Sequence, residues 1–193
     1  MFYEIIKLLA SVICKILFRL KVEGVKHIPK KGGFILASNH ISYLDPITLG
    51  VACPRRLNFM AKEELFCNSL FSRFISMLGA FPVKRDSADL FALKEAMRRV
   101  RENKALVLFP EGSRKSDSNS DGLYSGVGFL AVKLAVPVLP AFIKGTDSVL
   151  PIGAKFIRPC KISVYFGKPI FIERRLPYQD IATQIMEDIR QLS

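Results

Sequence analysis

A histidine followed five residues later by a carboxylate opens the chemically informative part of this chain, Asn39-His40-Ile41-Ser42-Tyr43-Leu44-Asp45-Pro46. An imidazole with one ring nitrogen held by a carboxylate keeps the other as a base that accepts a proton near neutral pH. On an unbroken helix, positions five apart point about 140° away from each other. Pro46 also biases Asp45 away from helical dihedrals, so the pairing requires a turn between His40 and Asp45. The same residues admit a structural reading, in which Asp45 caps a helix starting at Pro46 and His40 bonds the turn. Ser42 lacks the G-x-S-x-G elbow of a nucleophilic serine. The second histidine, His27 in Val25-Lys26-His27-Ile28-Pro29, has no partner pattern.

A second motif, Phe109-Pro110-Glu111-Gly112-Ser113-Arg114, follows the apolar run Ala105-Leu-Val-Leu-Phe109. It presents a carboxylate, a hydroxyl and a guanidinium at the end of a strand, where α/β folds build ligand sites. Arg114 suits bidentate contact with a phosphate, and Arg85 and Lys62 add positive charge from the ends of other strands. An ion pair of Glu111 with Arg114, with Lys84 and Arg85 on a solvated face, accounts for the same residues without a ligand. The stretch 115–125, KSDSNSDGLYS, reads as a surface loop, either a plain connection or a mobile edge of the site.

The elements that must position these groups alternate. Strands are predicted at 34–38, 57–61, 80–83, 105–109, 136–143 and 162–166. Helices are predicted at 88–102, 127–134 and 178–192. This order predicts an α/β layered domain over 21–193, with a mixed, mostly parallel sheet flanked by helices. An N-terminal amphipathic helix over 1–20 precedes it. Its polar arc holds Glu4, Lys7, Ser11, Lys15 and Arg19, leaving a wide apolar side. That side suits docking on the domain's own core, insertion into a lipid headgroup region, or both. The longest uncharged stretch between Lys7 and Lys15 is the seven residues Leu8–Cys14, too short to span a bilayer. Glu4 offsets Lys7 and no small-residue cleavage site follows, so export is not predicted.

With 29 Lys+Arg against 17 Asp+Glu, the 193-residue chain carries a formal net charge of +12. That excess favours nucleic acid, an anionic membrane or phosphorylated substrates as partners. Nucleic acid has only the charge in its favour, since no zinc-finger, helix-turn-helix or RNA-recognition signature is present. The apolar share of 50% and charged share of 24% exclude a disordered or fibrous chain. Cys14, Cys53, Cys67 and Cys160 form no C-x-x-C pair and no zinc spacing, and are expected to be small buried hydrophobes in a reducing compartment.

Taken in order, the motifs at 39–45 and 109–114, an arginine at 85 after the intervening strand, and Val136-Pro-Val-Leu-Pro140 resemble the four blocks of the glycerolipid acyltransferases, specifically the bacterial 1-acylglycerol-3-phosphate acyltransferases. Val22-Glu23-Gly24 and Gly167-Lys168-Pro169 flank them with segments of family type. Ser113 stands where threonine is more usual, and Leu123-Tyr124-Ser125 replace a basic residue often found before Gly126. The resemblance implies transfer of a fatty acyl group from an acyl carrier protein or coenzyme A thioester to the 2-hydroxyl of lysophosphatidic acid, giving phosphatidic acid. It implies His40 as general base oriented by Asp45, with Arg85, Glu111, Gly112, Ser113, Arg114 and Lys62 binding the substrate. Neither motif calls for a metal or an organic cofactor. The expected place is the cytoplasmic face of the bacterial inner membrane, held at an anionic surface. Another lysolipid or glycerol 3-phosphate as acceptor, and a non-catalytic basic lipid-binding module, are the competing readings.

Overall fold

The computed structural model describes residues 1–84, 89–111, 124–151, 156–172 and 176–193. Within them, β1 (Lys21–Glu23), β2 (Phe34–Ser38), β3 (Leu57–Lys62), β4 (Ala80–Val83), β5 (Ala105–Leu108), β6 (Val138–Lys144) and β7 (Ser163–Phe166) form one sheet. The order across it is β1-β7-β6-β2-β5-β3-β4. Every neighbouring pair is parallel except β6–β7, so the sheet is mixed and mostly parallel as the alternation predicts. The helices are α1 (Phe2–Phe18), α2 (Asp45–Ala52), α3 (Ser69–Met77), α4 (Leu90–Arg101), α5 (Tyr124–Leu134), α6 (Thr146–Val149) and α7 (Tyr178–Arg190).

Helices cover both faces, which is why the central strands read as continuous apolar runs rather than alternating ones. All five residues of β2 are buried. Ile35 and Ala37 point to a core shared with α4, α5 and α7, while Phe34 and Leu36 point to one shared with Leu49 and Ala52 of α2. At one edge of the sheet, β4 carries Pro82 in the middle of its pairing with β3. Near the other, β1 lies beside β7, bringing the segments around Gly24 and Gly167 together. Gly24 has φ 74°, and a Cβ there would stand 2.0 Å from the carbonyl oxygen of Phe166. No other residue type fits that close approach.

Several boundaries shift. The α5 helix starts at Tyr124, so residues 124 and 125 leave the predicted loop, whose remainder lies outside the described residues. The β6 strand starts at Val138, because Ala135 adopts a left-handed conformation (φ 49°) that turns the chain out of α5. The helix α2 begins at Asp45 itself, with Pro46 in its first turn, despite the bias that proline places on its predecessor. The cysteine expectation holds for Cys14 and Cys53, which are buried, and fails for exposed Cys67 and half-buried Cys160. Burial pushes the thiol pKa of both Cys14 and Cys53 up.

The N-terminal helix docks through a stripe beside its polar arc, with Tyr3 and Ile6 partly buried while Glu4, Lys15 and Arg19 of that arc stay exposed. Lys7, Ala10 and Ser11 are partly buried, and Cys14 and Phe18 fully so. Cys14 and Phe18 pack with Val149 and Ile162. Small residues let α1 approach the body, and Ser11 satisfies its hydroxyl by donating to the Lys7 carbonyl at 2.7 Å. The wide apolar side, with Ile5, Leu8, Leu9, Val12, Ile16 and Leu17, stays exposed.

Candidate active site

Strand register gathers the two motifs. Ala37 of β2 pairs with Leu108 of β5, so His40 and Glu111 each lie three residues beyond a paired position. On the next strand Phe59 pairs with Val107, which places Lys62 level with Pro110. Lys62 in turn pairs with Val83 of β4. His40, Glu111, Lys62 and the end of β4 therefore share the carboxyl-terminal edge of the parallel strands, where such sheets bind ligands. Arg85, Gly112, Ser113 and Arg114 lie outside the described residues.

The turn between His40 and Asp45 forms, and the carboxylate folds back into it. His40 Nδ1–H donates to Asp45 Oδ2 at 2.9 Å. The same oxygen accepts the backbone N–H groups of Ile41 and Ser42, each at 2.7 Å. Asp45 is not the N-cap of α2; that position falls to Leu44, which gives no side-chain cap. Facing a carboxylate, the ring carries its proton on Nδ1 and its free lone pair on Nε2, the arrangement a general base needs. His40 is 12% exposed and Asp45 fully buried, so the pair is sheltered while the ring keeps an opening to solvent. The Phe109 ring stacks on the imidazole, with centroids 4.1 Å apart and planes 18° from parallel. The second motif also holds the first directly, since Glu111 Oε2 accepts the backbone N–H of His40 at 3.1 Å.

Two positioning contacts come from residues that the motif reading passed over. Buried Asn39 pairs with Ile143 of β6 in both directions: its Nδ2 donates to the Ile143 carbonyl at 2.8 Å, and Ile143 N–H donates to its Oδ1 at 2.8 Å. The amide imitates a strand's own hydrogen bonds and carries the β2–β6 ladder past its last paired residue. Three residues beyond Ile143, the Thr146 hydroxyl donates to Asp45 Oδ1 at 2.6 Å. The sequence signal for the first was the asparagine of the motif itself; Thr146 had none, being 101 residues from Asp45. His27 Nδ1 lies 3.0 Å from the Phe166 carbonyl, in the β1–β7 corner.

Comparisons with known proteins agree with this geometry. The family model described as Acyltransferase matches residues 19–144. The 1-acyl-sn-glycerol-3-phosphate acyltransferase of Bacillus subtilis is 30% identical over 152 residues, covering 78% of this chain and 73% of that protein. A chloroplastic enzyme of the same name from Brassica napus is 29% identical over 86% of this chain, which spans about half (49%) of that protein's length. The crystal structure of the 1-acyl-sn-glycerophosphate acyltransferase PlsC from Thermotoga maritima superimposes with a TM-score of 0.79 at 26% identity, covering 98% of this chain and 78% of that one. With its sheet, its paired motifs and the matched span of 19–144, the chain belongs to the acyltransferase family.

Proposed function

We propose that the protein transfers a fatty acyl group from an acyl thioester to the 2-hydroxyl of 1-acylglycerol 3-phosphate, forming phosphatidic acid. The observation that carries the reading is the His40–Asp45 pair, its Nδ1 occupied by a buried carboxylate and its Nε2 available at the ligand-binding edge. Nε2 takes the proton of the acceptor hydroxyl as that oxygen attacks the thioester carbonyl. The tetrahedral intermediate then expels the thiolate, which recovers the proton from His40, so no acyl-enzyme is needed. Asp45 stabilises the imidazolium formed between the two steps. Arg85, Arg114 and Lys62 supply positive charge for the phosphate, and Glu111, Gly112 and Ser113 complete the headgroup site. The acyl donor is acyl carrier protein or coenzyme A thioester, with no metal or organic cofactor in the reaction.

An anionic membrane surface completes the proposal, because donor chain and acceptor are both lipids. None of the described helices is long and apolar enough to cross a membrane. The outward apolar side of α1 continues into α3, where Leu70, Phe71, Phe74 and Met77 are exposed. Phe2 of α1 meets Phe74 edge-on, with ring centroids 6.1 Å apart and planes at 89°. Two joined apolar helices on a chain of net charge +12 fit a surface-bound enzyme at the cytoplasmic face of the inner membrane.

Thiol release by purified protein tests the reaction, with a long-chain thioester on either carrier and with or without lysophosphatidic acid. The expected result is acceptor-dependent release that yields phosphatidic acid and is lost in folded His40→Ala. Release with glycerol 3-phosphate or another lysolipid alone reassigns the acceptor. No release with any acceptor, alongside intact vesicle binding, leaves a lipid-binding module in place of an enzyme.

A further inference from the structure

We infer that Thr146 is a positioning residue for the general base, acting through Asp45. This rests on reading His40 as the proton acceptor. Asp45 and Thr146 are both fully buried. Asp45 Oδ2 receives His40 Nδ1–H and the N–H groups of Ile41 and Ser42, all from the turn it closes. Those three donors load one oxygen and leave the opposite one, equally buried, to be satisfied from elsewhere in the fold. The Thr146 hydroxyl binds the opposite oxygen from another part of the fold and fixes the plane. The carboxylate plane sets the direction of the Nδ1–H bond, and through the rigid ring the direction of Nε2.

The backbone is arranged to deliver this hydroxyl. Asn39 fastens the end of β6 at Ile143, so both residues flanking the His40 turn, Asn39 and Asp45, are tied to the short stretch 143–146. Between those ties lies Gly145 at φ 92°, where a Cβ would stand 2.2 Å from the Lys161 carbonyl oxygen. Glycine alone takes that turn without strain, and the turn is what brings Thr146 to Asp45.

The test compares Thr146→Ser, Thr146→Ala and Thr146→Cys. All three lose the buried methyl, and serine alone keeps the hydroxyl, so the Ser–Cys comparison holds even if Thr146→Ala folds poorly. The expected result is a kcat reduced about tenfold in the Ala and Cys variants, at unchanged KM, with Ser close to the parent. Spectra of isotope-labelled histidine give a readout that needs no turnover. His40 is expected to stay Nδ1-protonated throughout, with its Nδ1–H resonance unmoved in Thr146→Ser and shifted and broadened in the Ala and Cys variants. A parent-like His40 spectrum in Thr146→Ala and Thr146→Cys overturns the inference, whether or not kcat falls. So does a serine variant as impaired as the others, which would assign the effect to the methyl. His40→Ala in the same assay asks the separate question: if it retains transfer, the base is elsewhere, while the spectra still decide what Thr146 does to Asp45.

Discussion

Lys7 of α1 donates from Nζ to the backbone carbonyl of Cys53, 2.5 Å away across 46 residues of sequence. Cys53 is the C-cap of α2, the helix whose first residue is Asp45. A lysine at a helix C-terminus satisfies an orphan carbonyl and complements the helix dipole. Replacing it by the uncharged isostere in Lys7→Met is expected to cost about 1 kcal/mol of stability, read by urea unfolding. An unchanged unfolding midpoint would mean that the contact adds nothing to the docking of α1.

The carboxylate on Nδ1 should matter to the rate and not only to the turn it closes. Asp45→Asn keeps the shape of the side chain but replaces the carboxylate on Nδ1, and is expected to lower kcat by roughly 10²–10⁴. Steady-state thiol release measures the loss. A parent-like kcat in Asp45→Asn would remove Asp45 from the orienting role.

Vesicle binding should depend on α3 as well as on α1. A charge placed on the exposed apolar side, in Phe74→Glu or Leu70→Glu, is expected to weaken partition onto anionic vesicles by about tenfold or more. Both positions are at least partly exposed, Leu70 at 81%, so the fold tolerates the change. Sedimentation with vesicles that contain anionic lipid measures the loss. Parent-like binding of both variants would confine the contact to α1.

Far from the site, Glu95 offers a stability prediction with a definite sign. Its carboxyl is lowered from 4.5 to about 2, first by the hydrogen bond from Arg98 and then by that from Arg99. A depressed folded-state value contributes stability that is fully present above the ordinary carboxylate range and lost as pH falls from about 4.5 towards 2. Solvent screening keeps the effect small, so Glu95→Gln is expected to cost roughly 0.5–1 kcal/mol at neutral pH. The gap between parent and variant should close near the bottom of that window, which urea titrations at several pH values will show.

Most of the central sheet was legible in the sequence because strands buried on both faces are dense in Ile, Leu, Val and Phe and break at Gly and Pro. FILAS at 34–38 and AFPV at 80–83 match the observed strands residue for residue. The elements passed over were short or weakly buried: β1 has three residues, and α3 has no fully buried side chain to mark a periodic face. The His40–Asp45 pair was legible because a tight turn joins its members, although the cap reading of Asp45 fitted the same letters. Thr146 and Asn39 act across contacts of 101 and 104 residues, which only strand pairing reveals. The outward side of α1 is the sharpest lesson of this kind. An amphipathic pattern tells which residues share a face but not which face meets the domain, and here most of the apolar face is left outside.

Pro82 gives the outer boundary of the sheet a further meaning. It sits in the edge strand β4, where a newcomer would otherwise find a row of N–H donors, and proline has none to give. The opposite edge is only three residues long and is dressed with the Lys21–Glu23 ion pair. Neither border can readily template another chain. Copies gathered on a two-dimensional lipid surface, as the proposed function requires, would thus crowd there without polymerising strand by strand.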